Sequence, residues 1–138
     1  MSAEEEAYHE VSAYTLSLGD RTFIHQHVVD AWAAQHANAE SKPIGVFFAL
    51  VGLYLHVERG FTGREVQRAH MQLAKRKEPW PVGALPVDRG SVTALDVLAF
   101  PEGAARDAAI ELWARSVWEA YAESRERVIE VLRRRGII

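Results

Sequence analysis

Along most of the chain apolar residues recur at the three-and-four spacing that turns one face of an α-helix toward a core. Ala7, Val11, Tyr14 and Leu18 share a face of a first helix from about Ala3 to Leu18, with Ser2 and Glu5 at capping-box spacing before it. Gly19 supplies a stop and Asp20 a cap, so a second helix is predicted from about Arg21 to Ala37 after a tight turn. Such a short link makes the two helices antiparallel neighbours. Pro43 suits the first turn of a third helix, which from Ile44 to Val57 is apolar on every side. Gly60 ends it. Thr62 and Glu65 then form a second capping box, opening a fourth helix from about Gly63 to Lys77 with the stripe Val66, Ala69 and Leu73.

The three prolines and two glycines of Glu78 to Gly90 forbid a long helix and mark an irregular crossing. Thr93 and Asp96 predict a short helix through Ala99, stopped by Pro101. From Ala104 to Arg134 the pattern reads as one helix, about 45 Å long at 1.5 Å per residue. Its expected stripe is Ala105, Ala109, Leu112, Val117, Ala120, Tyr121, Val128 and Val131. The predicted architecture is therefore all-α, an up-down bundle of four to five helices with a short extra helix and a long C-terminal one, in a single domain over residues 1–138. An overhang on that last helix needs a further partner, so a homodimer is expected, with Trp113 and Trp118 as packing groups of the core or of the dimer.

With 138 residues, the chain is long enough to bury roughly two thirds of its unfolded surface around one core. Sixteen basic residues against nineteen acidic give a net charge of -3, so no broad cationic face exists for nucleic acid. Cysteine is absent, which excludes disulfides, thiolate metal sites and cysteine nucleophiles. The acidic start MSAEEEAYHE does not resemble a signal peptide, and the apolar run Pro43 to Val57 is too short to span a bilayer. A cytoplasmic protein without membrane contact is expected.

Histidine is the residue type that raises the question of chemistry, because neutral imidazole binds metals and moves protons near pH 7. Rises of 1.5 Å per residue, counted from Gly19 and Gly60, place His9 and Asp30 about 15 Å and His27 and His70 about 10 to 12 Å from one end of the bundle. His25 and His56 fall nearer that end. His27 lies within the apolar face of its helix and Asp30 on its flank, at the i, i+3 spacing by which one helix offers two ligands. Glu6 and His9 repeat that spacing, although His9 points away from its helix's apolar stripe.

A metal site would take His27, Asp30 and His70, completed by His9 or His56, with Glu10 or Glu58 as base and Zn, Fe, Mn or Ni as the ion. The competing reading is a core pair, His27 hydrogen-bonded to Asp30, with no chemistry at all. His25 and His36 fall on the opposite face and are read as solvent-facing or interfacial. Trp80 is expected to lid the core. Arg59, Arg64 and Arg68 make a charged face near the third turn.

The strings YHE, FIHQHVVDA and LYLHVERGFTGREVQ, followed by a WP loop and VTALDVL, resemble a bacterial family of small helical proteins known only as a domain of unknown function. The resemblance runs from Tyr8 to Trp118. It implies that Tyr8, His9, Glu10, Gly19, Asp20, His25, Gln26, His27, Asp30, His56, Glu58, Arg59 and Gly60 belong to the family pattern, and it carries no activity. Three functions are thus compared: a metal-dependent or proton-transferring helical protein, a non-enzymatic homodimeric or partner-binding module with structural histidines, and a pH-responsive switch.

Overall fold

The most apolar stretch of the chain becomes the helix that the others surround. In the computed structural model, which describes residues 1–138, this is α3, Pro43–Arg59, with nine consecutive or near-consecutive buried residues from Val46 to Leu55. Around it pack α2 (His25–Gln35), α4 (Gly63–Ala74), α6 (Ala104–Ala120) and α7 (Arg125–Arg134). The remaining helices, α1 (Ala3–Ser17) and the short α5 (Ala94–Leu98), pack on each other, and they join the body through α2 and α6. The expected all-α class holds, with seven helices and no strand. No helix is long and apolar enough to cross a membrane.

Helix ends follow the local chemistry. Gly60 adopts the left-handed conformation at φ 71°, its N–H donates to the His56 carbonyl, and Phe61 N–H reaches back to Leu55. This closes α3 with a Schellman motif. The Thr62/Glu65 and Thr93/Asp96 capping boxes form as expected. At α1 only half of the expected box forms, Ser2 accepting from the Glu5 N–H at 3.1 Å.

The link between α1 and α2 differs from the prediction. Asp20 accepts from Ile24 N–H at 3.0 Å and from the Thr22 hydroxyl, so its carboxylate folds a turn and α2 starts only at His25. Within that turn Phe23 is left-handed at φ 57°, an uncommon conformation for an aromatic residue. The start of α4 holds it there. Arg64 N–H donates to the Thr22 carbonyl at 3.0 Å, and the Arg64 guanidinium lies 4.7 Å above the Phe23 ring. Gly63 makes this approach possible, since a Cβ there would lie 1.8 Å from the Phe23 carbonyl oxygen.

The predicted long C-terminal helix is broken. Tyr121 closes α6, one 3₁₀ turn spans Ala122–Ser124, and α7 folds back on α3 with Val128, Ile129, Val131 and Leu132 buried. The Tyr121 hydroxyl donates to the Ala34 carbonyl, a tertiary bond that local sequence does not encode. Of the predicted stripe, Ala109, Val117, Tyr121, Val128 and Val131 are buried, but Leu112 is 55% exposed and the buried face of α6 extends instead over Ile110, Trp113, Ala114 and Trp118. Trp113 donates to Gln35 at 2.8 Å and Trp118 to Glu58 at 2.7 Å. Both tryptophans and the C-terminal segment therefore pack within one chain. Trp80 does cover the core, packing on Phe47 and Phe48 with ring centroids 5.6 and 5.1 Å away.

Gly63→Ala is expected to cost about 2 kcal/mol in urea denaturation, because the new methyl meets backbone that cannot step aside. Gly45→Ala, where an added Cβ meets nothing within 4 Å, is expected to stabilise α3 by about 0.5–1 kcal/mol. Equal effects at the two positions would show that the Phe23 turn is not locked to α4.

Candidate functional site

Helix α2 presents His27 and Asp30 to the interior, and each is only 3% exposed. Asp30 lies against Gly52 of α3, where a Cβ would come within 1.9 Å of its Oδ2. A side chain at position 52 would exclude the carboxyl. Gln26 donates to Asp30 Oδ1 at 3.0 Å, while Oδ2 has no hydrogen-bond partner. Burial drives the Asp30 pKa well above the usual carboxylate range, and the Gln26 bond opposes this without reversing it. His27 carries the other orphan, a buried Nδ1 without a partner.

The His27 ring stacks face to face on His56 of α3, centroids 3.4 Å apart and planes 15° from parallel. His56 has both nitrogens committed, Nδ1 to the Phe61 carbonyl at 2.9 Å and Nε2 to the Glu111 carboxylate at 2.7 Å. A carbonyl oxygen only accepts, so Nδ1 carries a proton. The His56 bond holds Glu111 below the usual carboxylate range despite partial burial, so Nε2 donates as well. Both nitrogens of His56 thus face acceptors, which favours the protonated ring. Burial lowers its pKa, the bonds from Glu111 and the Phe61 carbonyl raise it, and the balance is upward even with Arg115 nearby.

His27 must then be neutral. Burial first and the His56 charge second lower its pKa to about 4, against the pull of Glu111 and Asp20. Two unit charges at this ring separation would repel by on the order of 5 kcal/mol at an effective dielectric constant of about 20. The pair therefore holds one proton comfortably and rejects a second. Glu111, with its side chain 52% exposed, is the member that meets solvent.

Of the residues singled out in the sequence, His27, Asp30 and His56 come to the facing surfaces of α2 and α3. His70 on α4 instead donates through Nε2 to the Phe48 carbonyl at 2.7 Å and stacks on the Phe48 ring, and burial lowers its pKa. His9 and Glu10 are exposed on α1. Glu58 accepts from Trp118 and Arg125, whose hydrogen bonds hold its pKa low, so it serves an ion pair. No three His, Asp or Glu side chains are grouped to hold a metal ion. His25 meets the Thr15 hydroxyl at 3.0 Å, and His36 stacks on Trp32 at 3.6 Å with Glu4 beside it.

Glu111 was not among the expected site residues, because the predicted stripe turned Leu112 inward. Phasing α6 on Ile110, Trp113 and Trp118 would have set Glu111 at the edge of the buried face. Residues 5–122 match a family of unknown function, DUF5946, so the match takes in His27, Asp30, His56 and Glu111 and stops short of α7. No curated protein and no solved structure matches the chain.

Side-chain ¹⁵N NMR at pH 7 is expected to show both His56 nitrogens protonated and His27 neutral. Glu111→Gln removes the counter-charge and is expected to lower the His56 midpoint by about one pH unit or more. An unmoved midpoint would mean that the carboxylate does not hold the proton on His56.

Proposed function

We propose that this chain, which belongs to the family of unknown function DUF5946, works as a proton-responsive helical module without catalytic activity of its own. The interaction that carries this reading is the His27–His56 stack, in which one ring is charged and the other is kept neutral. His56 has no nitrogen left to act as a base, and His27 is buried away from any substrate, so acid–base catalysis gains no support from either. Lowering the pH presses a second proton on the pair, and separating α2 from α3 relieves it.

The sign follows from linkage. His27 has a folded pKa depressed from 6.5 to about 4, so between these values the unfolded chain binds a proton that the folded chain refuses. Stability falls as the pH drops from 6.5 toward 4, by up to about 3 kcal/mol at 1.36 kcal/mol per unit. His25 and His70, also lowered by burial, act in the same sense. His56 acts oppositely, since its raised pKa contributes stability that is full below 6.5 and lost as the pH rises through its folded value. Glu111 is lowered, so its contribution is present above 4.5 and lost as the pH falls through its folded value. Asp30, raised, gains stability as the pH falls toward 3.8. Comparing wild type with His27→Phe isolates the contribution of His27 and its coupling to His56, Glu111 and Asp20.

A second reading rests on the two orphan atoms. Nδ1 of His27 and Oδ2 of Asp30 are both ligand types for a divalent transition metal such as Zn, Fe, Mn or Ni, and both are buried without partners. Such an ion would draw its remaining ligands from water or from His56 after release of Glu111. Metal analysis of untagged protein and of His27→Ala tests it, the metal reading requiring an ion that the variant loses.

Chemical denaturation between pH 7.5 and 4.5 tests the proton reading. His27→Phe is expected to be at least as stable as wild type at pH 7, because it removes an unpaired buried nitrogen. Its acid-side loss down to pH 4.5 is expected to be smaller by about 2.5 kcal/mol. Parallel profiles for the two proteins would overturn the proposal.

A further inference from the structure

The α6–α7 junction has the composition of a helix and the geometry of a hinge. No glycine or proline occurs between Ala104 and Arg135, yet the helix breaks. The break is shallow. Tyr121 sits at φ -96°, ψ 26° and Ser124 at φ -89°, ψ -9°, while Arg125 is already helical at φ -56°, ψ -49°. Bringing φ and ψ of Tyr121 and ψ of Ser124 to helical values, with the 3₁₀ turn between them relaxing to α, lets Ala104–Arg134 run on as one rod, about 45 Å long. Helix propensity favours that rod, because Ala, Glu, Arg and Leu make up most of it.

Straightening lifts α7 off its own body. Its apolar face, Val128, Ile129, Val131 and Leu132, would then be bare, and so would the surface of α3 that it covers. The anchors at its two ends would open together: Arg125 to Glu58 at 2.7 Å, Arg134 to Glu78 at 2.7 Å, and Arg135 to Glu78 and the Leu73 carbonyl. A second copy offers the same groove and the same acidic partners, so the packing and the ion pairs broken within one chain can be remade between two.

We propose that α7 is an exchangeable element, and that two copies of this chain associate by each seating its α7 on the other's α3. The occupant of the groove is thereby specified, since the complementary surface is the one α7 already fills in a single chain. Reciprocal exchange closes the pair with twofold symmetry and leaves no groove open for a third copy. The two states share their interface and differ at the hinge, which is irregular in the closed chain and continuous helix in the straight one. The short link gives the closed form a high effective concentration, so the exchanged dimer grows with protein concentration. This is independent of the histidine cluster.

Sedimentation of the full chain from about 10 µM to about 1 mM reads the equilibrium. Tyr121→Leu and Ser124→Ala place better helix formers at the two residues where the helix departs from regular geometry. Each is expected to raise the dimer fraction several-fold, whereas Glu123→Gly is expected to lower it. Because the chain contains no cysteine, Glu78→Cys/Arg134→Cys supplies a unique thiol pair between α7 and the body, to be joined with a short bismaleimide. In separated fractions the dimer is expected to give covalently linked chains and the monomer only internal bridges. Two results would overturn the exchange: wild type and both hinge variants, folded by circular dichroism, staying monomeric throughout, or dimers whose bridges are all internal.

Discussion

A helix without a polar face has to be covered on every side, and the rest of this chain is arranged around that demand. Each large aliphatic side chain buried along α3 contributes about 1.5–3 kcal/mol relative to exposure, so leaving any flank open would be costly. Helices α2, α4, α6 and α7 share the covering, and Trp80 closes the end near Phe47 and Phe48. The polar groups inside are those that the close approach of these helices permits. Gly52 is flat enough to admit Asp30, and the imidazoles of α2 and α3 meet where no side chain separates them.

Placed in that interior, the histidine pair behaves differently from two exposed imidazoles. One charge is tolerated because Glu111 and the Phe61 carbonyl hold it from both ring nitrogens. A neutral ring then finds a favourable neighbour in the face of a cation, whereas a second cation finds none. The hydrogen-bonding needs of His27 Nδ1 and Asp30 Oδ2 are left unmet inside an otherwise well-satisfied core, a pattern more typical of sites retained for function than of optimised packing.

Much of the fold was legible in the sequence where a short motif carries its own physics. The Thr62/Glu65 box, Gly60 as a left-handed stop and the all-round apolarity of α3 each depend on a few neighbouring residues. The break at Tyr121 was not legible, because no glycine or proline marks it and the residues of α3 on which α7 packs are far away in the chain. The site was half legible. His27, Asp30 and His56 stood out by type, but counting a helical rise from Gly19 credited the Asp20–Ile24 turn with helix that it lacks, which set His27 level with His70 instead of beside His56. Glu111 was missed through the phase of α6, where the predicted stripe took in Leu112 and left out Trp113.

The way α7 is fastened makes it sensitive to dissolved ions. Its middle is held by aliphatic packing, and its ends are held by guanidinium–carboxylate pairs, of which Arg125–Glu58 and Arg134–Glu78 are partly open to water. Counter-ions weaken such exposed pairs over a distance of about 8 Å at physiological ionic strength, and they leave the aliphatic packing intact. A saltier solution therefore loosens this helix from its tips inward, so that the ionic composition of the surroundings, as much as the sequence at the hinge, sets how tightly the chain keeps its last segment folded against itself.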